Sequence, residues 1–227
     1  SLIIIDEAHH AVAGSWSKII NHYSDAILLG VTATPCRLDG RGLKEFFDEL
    51  IIGPTIPELV DLGYLSPHRV YAAPKPVVLD GLRTLAGDFA KDDLALRMNE
   101  YTIKGDIVAH WRKYASKLPT VVFCVNIEHA EAVVEKFNES NIKADIITGE
   151  MKTDDRDQVI NDLSNGSTQV LVSVDVISEG FDLPQASCAI LLRPTKSEGL
   201  YMQQVGRILR PQKDKVAIVL DHVNNTR

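Results

Sequence analysis

The hydrophobic residues along this chain follow two repeating patterns. Short continuous apolar runs such as Leu2–Ile5 are typical of strands that are buried on both faces of a parallel sheet. Elsewhere apolar residues recur at spacings of three and four, as at Trp16, Ile19, Ile20 and Tyr23, which is the spacing of one helix face. The predicted strands cover residues 2–5, 26–31, 120–125, 144–148, 169–174, 187–192 and 216–220, with a short strand at 77–79.

Residues that commonly begin or end helices indicate the boundaries of the predicted helices. Pro57 stands where a helix could begin, and Gly63 stands where it would end. Thr153 can cap a helix whose first turn holds two aspartates, and Asn165-Gly166 would end that helix. The predicted helices cover residues 16–23, 43–50, 57–63, 88–98, 102–117, 130–137, 153–165 and 198–209.

The alternation of strands and helices predicts the α/β class, with parallel sheets that carry helices on both faces. With 227 residues the chain is long for one domain and short for two complete ones. We therefore expect two lobes: residues 1–68 form the C-terminal part of a first lobe, 69–118 a connecting segment, and 119–227 a more complete second lobe. Because the chain opens inside an apolar run, we also expect that further residues precede it.

The composition is that of a globular protein with an acidic balance: 24 Lys and Arg against 31 Asp and Glu, a net charge of −7. This balance argues against nucleic-acid binding over a broad basic surface, so such a site should be a local groove. No apolar run approaches the length of a membrane span and the start lacks a signal peptide's basic residues, so we expect a cytoplasmic protein without membrane contact. Cys36, Cys124 and Cys188 lack disulfide or zinc-site spacing, and we predict that they are core residues.

Two adjacent carboxylates follow the first predicted strand, in Asp6-Glu7-Ala8-His9. Ligands of open α/β sheets bind beyond the carboxyl ends of the strands, where Asp6 could hold Mg²⁺ and Glu7 could take a proton from an attacking water. An acidic strand exit that caps the next helix explains the same residues. Taken alone, the four residues are compatible with both interpretations.

Three further segments could carry chemistry. Thr32 and Thr34 follow another apolar strand and could bond to the carboxylates, or could form an ordinary hydroxyl-rich turn. Arg207 and Arg210 lie three apart on a predicted helix and suit a phosphoryl group that gains charge, although solvated arginines are common on helices. Residues 173–184 combine hydroxyl, glycine and acid, and could contact a nucleic-acid backbone and a ribose, or could form a structural turn.

The order of these segments resembles that of superfamily 2 helicases. The stretches DEAH, TATP, VFCVN, SVDVISEGFD and QQVGRILR look like motifs II, III, IV, V and VI, and together they extend over nearly the whole chain. The DEAHH start and the TATPCRLDG stretch further resemble bacterial and phage helicases that are related to type III restriction motor subunits. The resemblance implies two RecA-like lobes, the first of them partial, with ATP and Mg²⁺ in the cleft between the lobes and nucleic acid lying across both.

The resemblance assigns a role to each matching position of this chain. The catalytic set is Asp6, Glu7, His9, Arg207 and Arg210, in which Asp6 and Glu7 match the metal-holding acid and the catalytic base, and the arginines match those that reach the γ-phosphate. Asp6 and Glu7 together form the expected metal site. The set near the nucleotide is Asp6, Gly180, Asp182, Gln203, Arg207 and Arg210, and the coupling set is Thr32 and Thr34. The set expected to contact the nucleic-acid backbone is Val125, Asn126, Thr148, Gly149 and Ser173.

One part of the family's motor does not occur in the sequence. No GxxxxGK[ST] loop, which cradles the triphosphate of ATP, is found anywhere in the chain. We therefore expect an ATP-dependent helicase whose full-length form carries this loop upstream, while this chain alone is inactive. The alternatives are a helicase-like module that binds nucleic acid or a protein without hydrolysis, and a translocase that moves on duplex DNA. The kind of helicase favours DNA over RNA, and the sequence gives no indication of the oligomeric state.

Overall fold

The computed structural model describes residues 1–8, 14–33, 43–73, 75, 77–85, 88–104, 107–174 and 186–226. Four of the predicted site residues lie outside these ranges: His9, Thr34, Gly180 and Asp182. Cys36 lies outside them as well, whereas Cys124 and Cys188 are buried free thiols, as predicted.

The regular elements follow one another along the described residues as alternating strands and helices. The strands are β1 (Leu2–Asp6), β2 (Ile27–Val31), β3 (His68–Ala72), β4 (Thr84–Leu85), β5 (Asp88–Phe89), β6 (Thr120–Cys124), β7 (Ala144–Ile147), β8 (Val170–Val174), β9 (Cys188–Leu191) and β10 (Ala217–Asp221). The helices are α1 (Gly14–His22), α2 (Ile56–Asp61), α3 (Lys91–Lys104), α4 (Ile107–Ala115), α5 (Ile127–Glu139), α6 (Thr153–Asn165) and α7 (Glu198–Gly206). A 3₁₀ turn at Leu43–Glu45 lies inside the predicted helix at 43–50.

The first sheet consists of β1 and β2, which run parallel and are connected through α1. Ile5 and Ala8 form a small core on one face, against partly buried residues that include Ile20 and Phe47. Leu2 and Ile4 on the other face are exposed, since no described residue covers them. The prediction that this strand is buried on both faces is therefore wrong within the described part of the chain.

The second sheet contains six parallel strands in the order β3-β10-β9-β6-β8-β7. Every residue of the four central strands is buried, which explains why their sequences are almost continuously apolar. Helices α4 and α5 pack against these strands. The predicted α/β fold with a partial first sheet and a larger second one is confirmed.

Residues 69–118, which the sequence predicts as a connecting segment, contribute directly to the second sheet and its core. β3 pairs with β10 from His68 to Ala72. Met98 of α3, together with Ile107 and Trp111 of α4, is buried in the main core. The division of the chain at residues 68 and 118 stays a prediction, but the structure places the edge strand and two covering helices of the second sheet between these points.

Two local predictions are wrong for identifiable reasons. No strand forms at 77–79, where the backbone N–H of Val77 makes a single hydrogen bond to the His222 carbonyl and the preceding proline has no N–H to offer a ladder. Thr153 does not cap helix α6 but is its first residue, and Lys152 occupies the N-cap position without a side-chain hydrogen bond. Its end is as predicted, since Gly166 adopts a left-handed conformation with φ of 81°.

None of the helices in the described ranges is both long enough and apolar enough to cross a bilayer.

Candidate active site and nucleic-acid edge

The carboxylates of Asp6 and Glu7 lie where β1 ends. Asp6 pairs with Val31 in the register of the first sheet, so Thr32 follows directly at the end of the neighbouring strand. The Glu7 backbone has a φ of 48°, a left-handed conformation that costs energy for a residue with a side chain. Its N–H donates to Asp6 Oδ1 at 2.9 Å, which stabilises this turn. The structure therefore places all three predicted residues together at the carboxyl end of the first sheet.

Gly30 allows the chain after β1 to pass close to β2. A Cβ atom at this position would lie 2.8 Å from Ala8 Cβ and 2.5 Å from the Phe47 ring. Ala8 is only 1 % exposed, so the turn at Glu7 is anchored by tight packing on its next residue. The turn that holds the two carboxylates, Asp6 and Glu7, is called the carboxylate turn. Its backbone conformation depends on the absence of a Cβ atom at Gly30.

Arg207 and Arg210 follow α7 and do not lie within it. Ser197 caps the start of this helix by accepting a hydrogen bond from Leu200 N, and Arg207 occupies the C-cap position after Gly206. The prediction that both arginines lie on the helix is thus wrong. Ile208 and Leu209 are buried between them and hold the segment against the core, while both arginine side chains are partly exposed.

The electrostatics connect Arg207 with the first sheet. Burial lowers the pKa of Arg207, and the negative charge of Glu7 acts in the opposite direction and raises it. Glu7 follows β1, whereas Arg207 follows a helix of the second sheet. The arginine segment of the second lobe therefore faces the carboxylate turn of the first lobe.

The two arginines lie at the amino edge of the second sheet, where its strands begin. The Ser66 N–H donates to the Leu209 carbonyl at 2.7 Å, and the Ala217 N–H donates to the Pro67 carbonyl at 2.8 Å. Ser66 and Pro67 immediately precede β3, and Ala217 begins β10. Asp6 and Glu7 thus lie at a carboxyl edge, where ligands of open α/β sheets generally bind, whereas the arginines lie at an amino edge.

Val125 and Asn126 lie at the opposite, carboxyl edge of this sheet, directly after β6. Asn126 is the N-cap of α5, and its Oδ1 accepts the N–H of His129 at 2.9 Å. His129 is completely buried, and burial lowers its pKa to about 4, so the ring is neutral near pH 7. Its Nδ1 accepts the N–H of Val125 at 3.4 Å. The side chains of Asn126 and His129 thus fix the turn in which the predicted contact residues lie.

Thr148 and Gly149 form the next loop of the carboxyl edge, after β7. Arg156 of α6 donates from Nη2 to the carbonyls of Gly149 and Met151, both at 3.3 Å. The Thr148 N–H points to the Met151 sulfur at 3.4 Å. The loop is therefore supported by a cation from the following helix, and Arg156 is a residue that the sequence did not single out.

Ser173 and Gln203 differ in their burial. Ser173 pairs with Phe123 and Ile147 inside the sheet, is 2 % exposed, and its Oγ has no hydrogen-bond partner within the described ranges. This placement does not favour a direct phosphate contact. Gln203 is partly exposed on α7, whereas its neighbour Gln204 is buried, and its Oε1 has no hydrogen-bond partner among the described residues.

A magnesium ion would find suitable oxygen ligands at the carboxylate turn. Mg²⁺ is usually held by one or two carboxylates, with water and phosphate oxygens completing its shell. The described residues contain no group of three or more side chains that could enclose a metal ion. Asp6 and Glu7 therefore fit an ion that arrives together with a nucleotide, and do not fit a closed protein site.

Comparisons with known proteins show which family the chain belongs to. The model of the helicase conserved C-terminal domain matches residues 104–212, and that of the type III restriction enzyme res subunit matches residues 1–37. The chain is 32% identical over 224 residues to a yeast protein named putative ATP-dependent helicase IRC3, from Saccharomyces cerevisiae. The chain belongs to the superfamily 2 helicases.

This helicase chain corresponds to a part of its relatives. It is 37% identical over 225 residues to a 51.5 kDa protein of a Lactococcus phage, an alignment that covers 99% of the chain and 49% of the phage protein. The alignment with the yeast protein covers 95% of the chain and 32% of that protein. The chain thus spans half the length of these relatives or less.

Solved structures share the two-lobed fold of this helicase chain. The ATP-dependent type ISP restriction-modification enzyme LlaBIII bound to DNA superposes with a TM-score of 0.67 and 19% identity, over 98% of this chain and 18% of that one. The L327V variant of S. cerevisiae Dbp5 bound to RNA and ADP BeF3 superposes with a TM-score of 0.61 and 18% identity, over 100% of this chain and 54% of that one. At these identities the likeness establishes the fold.

Proposed function

We propose that the whole protein is an ATP-dependent DNA helicase or translocase that hydrolyses ATP between its two lobes. The observation that carries this proposal is the electrostatic interaction of Glu7 with Arg207 across the two sheets. A carboxylate and a guanidinium on opposite sides of a cleft are the groups that phosphoryl transfer requires: one for the attacking water and one for the developing charge. Family membership and the ATP-dependent relatives support the same reaction.

Each of these residues then has a defined task. Asp6 and Glu7 would hold Mg²⁺, which when bound supplies positive charge to the phosphate oxygens. Glu7 takes a proton from the water that attacks the γ-phosphorus, the bond to the bridging oxygen breaks, and ADP leaves. Arg207 and Arg210 stabilise the charge that spreads over the transferred phosphoryl group. Thr32, directly after the Val31 that pairs with Asp6, would pass the state of the carboxylates to the rest of the first lobe.

The carboxyl edge of the second sheet is the proposed nucleic-acid face. The turn at Val125 and Asn126 and the loop at Thr148 and Gly149 lie at this edge, opposite to the arginines. Backbone N–H groups and small polar side chains can bind phosphates without a broad basic surface, which agrees with the net charge of −7. DNA is the proposed strand because the restriction-modification enzyme of this fold was solved on DNA, and Dbp5 on RNA makes RNA the alternative to test.

The phosphate-binding loop is proposed to come from residues of the whole protein outside these 227. The sequence contains no GxxxxGK[ST], and such a loop supplies a lysine and backbone N–H groups to the triphosphate. A chain without these groups binds ATP weakly even when the hydrolytic residues are in place. We therefore expect negligible ATPase activity from this chain alone.

The test is an ATPase assay on this chain and on the full-length protein, each without nucleic acid, with single-stranded DNA, with duplex DNA and with RNA. We expect activity only in the full-length protein, and stimulation by DNA greater than that by RNA. Inactivity of both proteins despite nucleic-acid binding would instead favour the non-hydrolysing module. Strand-displacement and triplex-displacement assays on the active protein then separate a helicase from a duplex translocase.

A further inference from the structure

Lys215 connects two segments of the second lobe through its side chain. It precedes β10 and is 9 % exposed. Its Nζ donates to the Ala186 carbonyl at 2.8 Å and to the Arg210 carbonyl at 3.1 Å. Ala186 is the first residue of the described range that contains β9. Arg210 is one of the two arginines proposed to contact the γ-phosphate. The ammonium group thus links the main chain of the arginine segment to the start of a central strand.

Ser66 also forms a hydrogen bond to the Arg210 carbonyl that Lys215 binds. Its Oγ donates to the Arg210 carbonyl at 3.1 Å, and its N–H donates to the Leu209 carbonyl at 2.7 Å. Ser66 lies between α2 and β3, where the chain passes from the first sheet to the second. The arginine segment is therefore held by main-chain and side-chain bonds both to the connection between the sheets and to the strand edge.

Burial of the Lys215 ammonium group costs free energy that a side chain with only a packing role would not require. Burial lowers its pKa to about 8, and the positive charge of Arg210 adds to this effect. An apolar side chain of similar length would avoid the desolvation cost, which often makes apolar replacements of buried charges neutral or stabilising. What an apolar side chain cannot do is fix two carbonyl oxygens that belong to different segments.

We propose that Lys215 is a positioning residue for ATP hydrolysis: its ammonium group fixes the backbone of Arg210 relative to Ala186, so that Arg207 and Arg210 reach the γ-phosphate in one geometry. This inference rests on the proposed function. The arginines must be held within a fraction of an ångström of the charge they stabilise, because a displacement of about 1 Å can cost on the order of 100-fold in rate. Ser66 contributes to the same restraint from the connection between the lobes.

The experiment compares Lys215→Met with Lys213→Met in the full-length protein. Lys213 lies two residues earlier in the same turn and is exposed, so it controls for the loss of a lysine at this place. We expect Lys215→Met to lower kcat on the order of 10-fold while KM for ATP and DNA affinity change little. Binding of ADP with aluminium fluoride, a transition-state mimic, should weaken by a similar factor, and Lys213→Met should behave like the wild type.

The outcomes separate this inference from the proposed function. A wild-type protein that does not hydrolyse ATP contradicts the proposed function, whereas an active wild type with an equally active, folded Lys215→Met protein contradicts only the role of Lys215. If Lys215→Met does not fold, Ser66→Ala and Lys215→Arg take its place. Ser66→Ala removes one donor to the same carbonyl and should lower kcat without changing KM, and Lys215→Arg should retain only part of the wild-type rate. Unchanged kcat in both folded variants would overturn the proposal.

Discussion

Arg207 and Glu7 belong to different sheets, yet the charge of Glu7 raises the pKa of Arg207 against the larger lowering caused by burial. Such an effect requires that the two charged groups lie near each other. The carboxylate is held by a left-handed turn at the end of β1, and the arginine follows the last turn of α7. In the proposed function, the reaction centre therefore forms only when the two lobes are brought together, which would couple hydrolysis to lobe movement.

Removal of the Arg207 side chain should abolish most of the hydrolytic rate. In the full-length protein we expect Arg207→Ala to lower kcat roughly 1000-fold, in line with arginines that stabilise phosphoryl transfer. KM for ATP should change much less, because the interaction develops in the transition state. Steady-state ATPase kinetics at saturating DNA measure both quantities. Arg69→Ala, on the exposed face of edge strand β3, is the control, and equal losses in both variants would contradict the assignment.

Gly30→Ala should disturb the carboxylate turn from the neighbouring strand. The added Cβ would approach Ala8 Cβ to 2.8 Å and the Phe47 ring to 2.5 Å, so the turn after β1 must shift. Overpacking of this kind costs about 1–3 kcal/mol. We expect a lower melting temperature and a reduced kcat for the full-length variant. Gly53→Ala is a matched control, since a Cβ at that position meets nothing within 4 Å, and it should leave both values unchanged.

The large sheet could be predicted from the sequence because its central strands are buried on both faces. Residues 120–125 and 169–174 combine apolar character with β-branched side chains, and the structure forms β6 and β8 there. β3 was missed because it is an edge strand with mostly exposed residues between two prolines, so its sequence carries no burial signal. Its position depends on pairing with β10, which lies nearly 150 residues further along the chain. A local sequence pattern cannot predict such a pairing.

The site was predictable only as far as its residues lie in recognisable motifs. The carboxylates and the arginines stand in such motifs, but the end of α7 at Gly206 places the arginines in an irregular segment. Lys215 lies in a polar turn whose sequence is typical of solvent exposure. Its burial arises from long-range placement of Ala186 and Arg210, which becomes visible only in three dimensions. Asn126, in contrast, could have been identified as a cap, because asparagine before an apolar helix is a common start signal.

Two substitutions at Asn126 should separate its structural role from nucleic-acid binding. Asn126→Asp keeps an oxygen for the His129 N–H, so the second lobe should retain its stability. The added negative charge should weaken DNA binding several-fold if phosphates pass this edge. Asn126→Ala should instead cost about 1 kcal/mol of stability through loss of the cap. Thermal melting and DNA titration of the full-length variants measure the two effects.

Asn141→Asp serves as the control for the added charge. Asn141 is exposed just beyond the opposite end of α5 and lies in a left-handed conformation that aspartate also tolerates. We expect this variant to bind DNA as the wild type does. Equal weakening by Asn126→Asp and Asn141→Asp would mean that net charge, and not the edge at Asn126, governs the affinity.

The second lobe should lose stability as the pH falls below 6.5. Burial lowers the pKa of His129 to about 4 and that of His222, together with the charge of His110, to about 3. In the unfolded chain both rings titrate near 6.5, so between pH 6.5 and about 4 the unfolded state binds more protons. Unfolding therefore becomes easier with acidification, and each histidine should contribute about 1–2 kcal/mol between pH 6.5 and 5.

Trp111 offers a probe for this acid sensitivity, because it is buried in the second lobe and packs edge-on against Phe137 of α5. In a Trp16→Phe background its fluorescence follows urea unfolding of the second lobe at pH 7, 6 and 5. His129→Gln should flatten the pH dependence, because a neutral amide takes up no proton when the chain unfolds. His68→Gln replaces an exposed histidine on β3 and should retain the wild-type slope. A slope that is unchanged by His129→Gln would mean that other groups cause the acid sensitivity.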